Sequence, residues 1–197
     1  MLVPKVDTPD QLKAVALAVA EAGGSSALWA MIAPPRAILD LGKIAQCAEM
    51  PNIPLTCLVT GTNDLIKATY ARLDQERTAA LFWLSSVVTA ARAFGLDVLD
   101  GVYNNFRDQD GFAAECRQGS MLGMDGKTLI HPDQIKIANE VFAPSTDEIA
   151  QARQILAAFE KPENQGKDVI NLDGEMVERL HAEIARRIVI LADAINN

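Results

Sequence analysis

The sequence is poor in histidine and cysteine, and several familiar signatures are missing from it. It has two histidines and three cysteines among 197 residues. An odd number of widely spaced cysteines, with no C-x-x-C pair, predicts reduced, buried thiols and argues against a disulfide framework or a zinc site. The G-x-G-x-x-G, Walker A, G-x-S-x-G and H-E-x-x-H motifs are absent as well, so no common nucleotide, hydrolase or metalloprotease signature is available.

Long runs of one chemical character are also absent. The net charge is −8 and no long basic run occurs, which argues against a nucleic-acid partner held by general electrostatics. No apolar run approaches the roughly 20 residues that span a bilayer, so no membrane partner is expected. The first residues lack a basic segment followed by an apolar one, so we expect no signal peptide and a cytoplasmic location.

What the sequence does contain is an alternation of strands and helices. Apolar content is 49% and charged content 22%, as in an ordinary globular protein. Continuous apolar runs predict strands buried on both faces, with amphipathic helices between them, which is the pattern of a parallel sheet. Five units of one strand and one helix fit either a small doubly wound sheet or part of an eight-stranded barrel. The predicted strands are 2–6, 27–33, 55–61, 97–102 and 127–131.

The last third of the chain departs from this alternation. Ser145 with Glu148 three residues later has the form of a capping box, so a helix is predicted to begin there and run to about residue 161. A short extended piece follows, and a terminal helix with an apolar stripe is predicted over 175–195. These elements lie outside the β/α repeat.

Candidate functional residues follow the predicted strands, because ligands bind at the carboxyl ends of parallel strands. Asp64 either binds a divalent cation or caps the next helix, and its spacing favours the cap. Lys5 either pairs with an anion or is solvated, and 100–105 is either a ligand loop or a turn. His131 fits a general base, a phosphate or carbonyl contact, or a structural role. Pro132 begins a helix beside it, which leaves free backbone donors for an anion or amide group.

Four segments in a fixed order resemble one known family. They are GTNDL (61–65), VVTAARAFGLDVLDGVYNNFRDQDGF (87–112), LGMDGKTLIHPDQI (122–135) and NEVFAPSTDEIAQARQILAAFE (139–160). These segments resemble the CitE-like branch of the HpcH/HpaI aldolase and citrate lyase family, which includes the malyl-CoA lyases. The terminal stretch 176–195 is similar to the C-terminal segment of that family.

The resemblance implies a fold and an activity. The fold is α/β, part of a TIM (β/α)8 barrel with about five of the eight β/α units, plus a C-terminal helical extension. Residues 1–143 would form the partial barrel, and 144–197 would pack on it or on a neighbouring subunit. The activity is that of a carbon–carbon lyase or aldolase acting on a malyl-CoA or citryl-CoA type of hydroxyacyl-CoA. In this reaction, magnesium stabilises an enolate.

The resemblance also implies roles for individual residues. Asp64 matches a magnesium ligand, and Ile130, His131 and Pro132 match the segment that borders coenzyme A. Glu178 matches the catalytic carboxylate that the C-terminal segment brings to a neighbouring subunit. A homo-oligomer, a trimer or a hexamer, is therefore expected.

Two departures from the family are visible. Ala33 stands where the family has a second magnesium-ligating glutamate, and alanine cannot bind a hard cation. This favours an alternative function, a catalytically degenerate CoA-binding or scaffold relative. The chain also starts at what resembles the fourth strand, and five strands cannot close a barrel of eight. We therefore expect it to be part of a longer protein or to have its open edges covered in an oligomer.

Overall fold

The computed structural model describes residues 1–196, and the side chains of 1–195. The chain divides into two compact units, which are described separately below. The first is Met1–Phe142 and the second begins at Ala143.

The first unit is built on a parallel sheet of five strands whose spatial order follows the chain. A doubly wound sheet reverses its strand order at a switch point, whereas a β/α barrel adds each strand beside the previous one. The order therefore agrees with part of a barrel. The strands are β1 Leu2–Val3, β2 Leu28–Ile32, β3 Leu55–Thr60, β4 Asp97–Asp100 and β5 Gly126–Lys127.

Helices connect the strands and cover the outside of the sheet. Thr8 precedes the first of them as its cap, and Gln11 Oε1 accepts from the Thr8 amide at 3.2 Å. Short 3₁₀ turns lie at Gln46–Glu49 and Thr78–Ala80. The helices are α1 Pro9–Glu21, α2 Pro35–Leu39, α3 Leu41–Ala45, α4 Thr62–Thr69, α5 Leu81–Ala93, α6 Gln109–Met121 and α7 Asp133–Phe142.

The core lies between the sheet and the helices, where the apolar runs predicted it. Leu28, Ile32 and Leu58 from the central strands are fully buried and pack with Leu12 of α1 and Leu84 of α5. Strands buried on both faces need apolar side chains at nearly every position, which explains why they form continuous apolar runs.

The three cysteines are free and buried, as predicted. Burial raises the pKa of the Cys57 thiol to about 12 and that of Cys116 to about 11. These thiols are therefore protonated at neutral pH and poor nucleophiles.

Several strands and helices are shorter in the structure than the sequence predicts. The first strand ends at Val3, because Lys5 adopts a left-handed backbone (φ 51°) that cannot continue a strand. The last strand ends at Lys127 and does not reach His131. The helix expected after β2 is broken at Asp40, whose backbone leaves the helical region (φ −106°, ψ 14°).

The second unit consists of two helices and a hairpin. The capping box is confirmed: Ser145 Oγ accepts from the Glu148 amide, and Glu148 Oε2 accepts from the Ser145 amide at 2.8 Å. Ile170 and Val177 of the hairpin pack with Ala158 of the first helix. The elements are α8 Thr146–Glu160, the 3₁₀ turn Pro162–Asn164, β6 Val169–Leu172, β7 Glu175–Glu178 and α9 Arg179–Asn196.

The prediction that the terminal helix begins at residue 175 is wrong for its first turn. Residues 175–178 pair antiparallel with β6, and α9 begins only at Arg179. Asp173 and Gly174 both have positive φ (52° and 92°), the backbone that a two-residue hairpin turn requires. The Asp-Gly pair was the signal for this hairpin in the sequence. Within 1–196, no helix is both long enough and apolar enough to cross a bilayer.

Candidate functional site

Charged side chains meet at the carboxyl edge of the five-stranded sheet. Lys5 follows β1 and Asp64 lies in the first turn of α4, and Lys5 Nζ is 3.3 Å from the Asp64 carboxylate. Asp100 closes β4 and Lys127 closes β5, with 2.9 Å between Lys127 Nζ and Asp100 Oδ2. Parallel strands bring these distant residues to the edge where ligands bind in β/α folds.

Four of the charged residues form a buried ion cluster, defined by Arg77, Asp100, Glu115 and Lys127. Arg77 Nη1 contacts Asp100 Oδ1 at 3.0 Å and Oδ2 at 2.8 Å, and Lys127 Nζ contacts Glu115 Oε1 at 2.5 Å. The side chains of Asp100 and Lys127 are completely buried. Two positive and two negative charges cancel, which is the condition under which ions are tolerated away from water.

Sequence reasoning missed most of this cluster. The sequence predicts Asp100 only as part of the segment 100–105, a ligand loop or a turn, and gives no reason to select the other three residues. Arg77 sits in a left-handed backbone conformation (φ 52°) just before a 3₁₀ turn, a strained state for a non-glycine residue. The one available signal was that Asp100 and Lys127 lie within two of the predicted strands, 97–102 and 127–131, where charged side chains are unusual.

The first turn of α4, which follows β3, touches the loop after β4. A Cβ atom on Gly101 would lie 2.5 Å from Thr62 Oγ1, so only glycine allows this approach. The amide groups of Asn63 and Asn104 exchange two hydrogen bonds, at 3.1 and 2.8 Å. The first turn of α4 and the loop after β4 therefore form one continuous rim at the carboxyl edge.

The residues at this edge do not fit a magnesium ion by themselves. Asp64 supplies one carboxylate, which is already paired with the Lys5 ammonium. Ala33 follows β2, is fully buried and offers no oxygen from its side chain. Among residues 1–196, no group of three or more histidine, cysteine, aspartate or glutamate side chains is arranged to hold a metal. Magnesium prefers octahedral oxygen ligands, so the role of Asp64 as a metal ligand stays a prediction.

The segment Ile130, His131 and Pro132 lies on the surface after β5. Ile130 is 50% exposed, and the His131 ring stacks on Phe106 with 4.5 Å between centroids and 14° between planes. The Arg107 guanidinium lies 5.8 Å from the Phe106 ring centre. His131 Nδ1 lies 3.2 Å from the Asp133 amide nitrogen and 3.4 Å from the Asp133 carboxylate.

Gln134 ties this segment to the loop after β4. Its Oε1 accepts from the Ile130 amide at 3.0 Å, and its Nε2 donates to the Tyr103 carbonyl at 3.1 Å. The side chain is almost fully buried, although it is polar. Gln134 thereby fixes the position of the segment 130–132 relative to the rim.

Replacing Gln134 by leucine keeps the volume and removes both hydrogen bonds. We expect the free energy of unfolding to fall by about 1–3 kcal/mol, because the partly buried Ile130 amide and Tyr103 carbonyl lose their partners. Hydrogen exchange at the Ile130 amide should become faster than in the natural protein. Gln109→Leu, at an exposed site in the first turn of α6, is the control. Equal exchange in both variants would show that Gln134 does not hold the segment.

Glu178 belongs to the second unit, where it closes β7. Its amide donates to His181 Nδ1 at 2.9 Å, so His181 caps the start of α9. This gives His181 a structural role. The catalytic role of Glu178 stays a prediction, because it depends on a surface outside its own unit.

Comparison with known proteins places this chain in a family. Residues 1–132 match the model of the HpcH/HpaI aldolase/citrate lyase family. A (3S)-malyl-CoA thioesterase of Cereibacter sphaeroides is 44% identical over 195 residues, 99% of this chain and 65% of the relative. The citrate lyase subunit beta of Haemophilus influenzae is 33% identical over 79% of the chain and 52% of its own length. The chain thus spans about 65% of the thioesterase.

Solved structures share the fold. A citrate lyase from Burkholderia xenovorans LB400 superposes with a TM-score of 0.78 at 18% identity, covering 100% of this chain and 64% of its own. CitE from Mycobacterium tuberculosis, in complex with magnesium, acetoacetate and coenzyme A, has a TM-score of 0.74 at 24% identity. It covers 98% of this chain and 67% of its own. The five-stranded sheet therefore matches part of the citrate lyase TIM barrel, as predicted, and this chain belongs to the HpcH/HpaI aldolase/citrate lyase family.

Proposed function

We propose that this protein binds a hydroxyacyl-CoA thioester of the malyl-CoA type and hydrolyses its thioester bond. The observation that carries the proposal is the make-up of the carboxyl edge. It presents a lysine–aspartate pair, Lys5 and Asp64, and has alanine at position 33. The 44% identity to a (3S)-malyl-CoA thioesterase supports the same substrate class.

The two reactions open to a malyl-CoA thioester make different demands on a site. Carbon–carbon cleavage gives acetyl-CoA and glyoxylate through an enolate, whose charge needs a cation or strong donors. In hydrolysis, water adds to the thioester carbonyl, the carbon–sulfur bond breaks, and malate and the coenzyme A thiol are released. Hydrolysis forms no carbanion, so it suits an edge that has one carboxylate, Asp64, paired with Lys5, and an alanine at position 33.

Each element of the site receives a role in this proposal. The Lys5 ammonium binds the free carboxylate of the acyl group, and the Asp64 carboxylate accepts a proton from the attacking water. The exposed segment 130–132 borders coenzyme A, and Arg107 pairs with its phosphates. Glu178 keeps its predicted role as a carboxylate brought to the site of a neighbouring subunit.

Two other functions have support from specific observations. Carbon–carbon lyase activity is supported by the likeness to citrate lyase subunit beta and, at 33% identity over 72% of the chain, to citramalyl-CoA lyase of Rattus norvegicus. A CoA-binding or scaffold role without catalysis is favoured by Ala33, which removes a metal ligand from the edge.

The test is a product analysis with (3S)-malyl-CoA. We expect malate and free coenzyme A in equal amounts, with no acetyl-CoA, measured by liquid chromatography. Lys5→Met should raise KM about tenfold or more, because a charged hydrogen bond to the substrate is lost. Lys136→Met removes an exposed lysine of α7 and should leave KM unchanged.

The alternatives give different products. Acetyl-CoA and glyoxylate would identify a lyase, and binding without either product would identify a scaffold. If calorimetry detects no binding of (3S)-malyl-CoA at all, the proposed substrate class is wrong.

A further inference from the structure

A groove on the outer surface of the first unit lies between α5 and the pair of short helices α2 and α3. Its volume is about 650 Å³. It follows α5 from Leu81 to Ala93, a length of about 20 Å at the rise of an α-helix. None of the residues of the candidate functional site lines this groove, so it is separate from the carboxyl edge.

The groove has the composition of the centre of a protein interface. Among the described residues that line it, none is charged, although 22% of the whole chain is charged. Two large apolar side chains stand exposed at its sides, Leu39 at 84% and Phe82 at 68%. Its floor is made of buried Ile38, Leu41 and Ala90. An exposed aromatic side chain beside an uncharged apolar surface indicates a place where another protein packs.

The hydroxyl groups of the groove lose little when they leave water. Ser86 Oγ donates to the Phe82 carbonyl at 2.6 Å, and Thr89 Oγ1 donates to the Ser85 carbonyl at 2.8 Å. A hydroxyl that donates within its own helix keeps that hydrogen bond when a partner covers it. A partner can therefore pack on this face of α5 without leaving these two donors unsatisfied.

Charges of both signs lie beside the groove. Asp40 lies between Leu39 and Leu41, which line the groove. Its carboxylate is 2.6 Å from Lys43 Nζ and 3.8 Å from Arg36 Nε. A rim that holds both signs is complementary to a second copy of itself, because the cations of each copy can face Asp40 of the other. A strongly charged partner such as a nucleic acid finds no matching charge inside the groove.

The surface also provides both parts of a fit between two identical chains. Leu39 and Phe82 protrude, and the recess between α3 and α5 lies next to them. In a contact with two-fold symmetry the same surface serves both copies, so a protruding side chain of one copy can enter the recess of the other. Each copy carries a net charge of −8, so two copies repel each other except where their facing surfaces are uncharged or complementary.

We propose that a second copy of this chain binds in this groove through a two-fold contact. The α5 helices of the two copies cross near Ser85, and Phe82 of each copy enters the recess of the other. The small side chains Ser85, Ser86 and Thr89 let the two helices approach closely. The proposal does not depend on the proposed function, since no residue of the candidate functional site takes part in it.

The test is the mass of the assembly that the full chain forms, measured by sedimentation equilibrium. Phe82→Glu places a charge in the contact at an exposed position, so the far-UV circular dichroism spectrum should not change. A two-fold contact joins equal halves of an assembly, so we expect the mass to halve and the association to weaken about 30-fold or more. Tyr70→Glu changes an aromatic residue that is 91% exposed and outside the groove, and it should keep the natural mass.

A cross-link locates the contact on the surface. A residue close to a two-fold axis meets its own copy, so Ser85→Cys should form an intermolecular disulfide under mild oxidation. The three natural cysteines are buried and do not compete. Ser120→Cys, at an exposed site of α6 outside the groove, is the control. After the free thiols are blocked, a non-reducing denaturing gel should show a covalent dimer for Ser85→Cys alone.

Three results would overturn the proposal. The first is a natural protein that keeps the mass of one chain, 21.3 kDa, at every concentration. The second is an assembly of the same mass for Phe82→Glu and for the natural protein. The third is a cross-link that forms through Ser120→Cys and not through Ser85→Cys, which would place the contact on another surface.

Discussion

Replacing Asp100 by asparagine should lower the free energy of unfolding of the first unit by about 3–5 kcal/mol. The substitution keeps the shape of the side chain and removes only its charge. Arg77 and Lys127 then share Glu115 alone, which leaves one uncompensated positive charge away from water. Urea titration followed by tryptophan fluorescence measures this, because both tryptophans, Trp29 and Trp83, lie in the first unit.

Two controls test the electrostatic origin of this loss. Glu140→Gln removes an exposed carboxylate from α7 and should leave the urea midpoint unchanged. Added salt should not restore the stability of the Asp100→Asn variant, since buried charges are poorly screened. A variant as stable as the natural protein would show that water reaches the buried ion cluster.

Ala33→Glu should make the stability of the protein depend on magnesium. Ala33 is fully buried, and a Cβ atom built on Gly61 would lie 2.5 Å from its Cβ, so the position has little spare room. An unpaired carboxylate there should lower the free energy of unfolding by about 3 kcal/mol without metal. Magnesium at about 100 times its Kd should raise the free energy of unfolding of this variant by about 2.7 kcal/mol, because it binds the new carboxylate together with Asp64.

The control for this prediction is Ala33→Gln, which has the same shape without the charge. It should be destabilised by crowding and should not respond to magnesium. The natural protein should not respond either. If Ala33→Glu and Ala33→Gln behave alike with magnesium, positions 33 and 64 do not share a metal site.

Local signals in the sequence predicted local structure well. The capping box at Ser145 and Glu148 and the continuous apolar runs of β2 and β3 depend only on neighbouring residues, and the structure confirms them. The break at Asp40 and the end of β1 before Lys5 depend on single backbone angles, which composition does not reveal. The hairpin at Asp173 was predictable from its Asp-Gly pair.

The candidate site was predictable only in part. The ends of the predicted strands indicated that the site lies at the carboxyl edge of the sheet. The family resemblance then selected Asp64 and the segment 130–132 among the residues there. Arg77 could not be found in this way, because it follows no strand and its partners lie 23 and 41 residues further along the chain. A buried ion pair is defined by three-dimensional distance, which spacing in the sequence does not encode.

The sequential strand order also sets the order in which the chain can fold during synthesis. Each strand pairs with the one made just before it, so each step closes a single β/α connection, and the entropic cost of closure grows only slowly with the length of that connection. Lys127 is the last member of the buried ion cluster to leave the ribosome. Until then Asp100 and Glu115 lack one of their charge partners, so we expect the region between residues 77 and 127 to reach its native packing as one cooperative step.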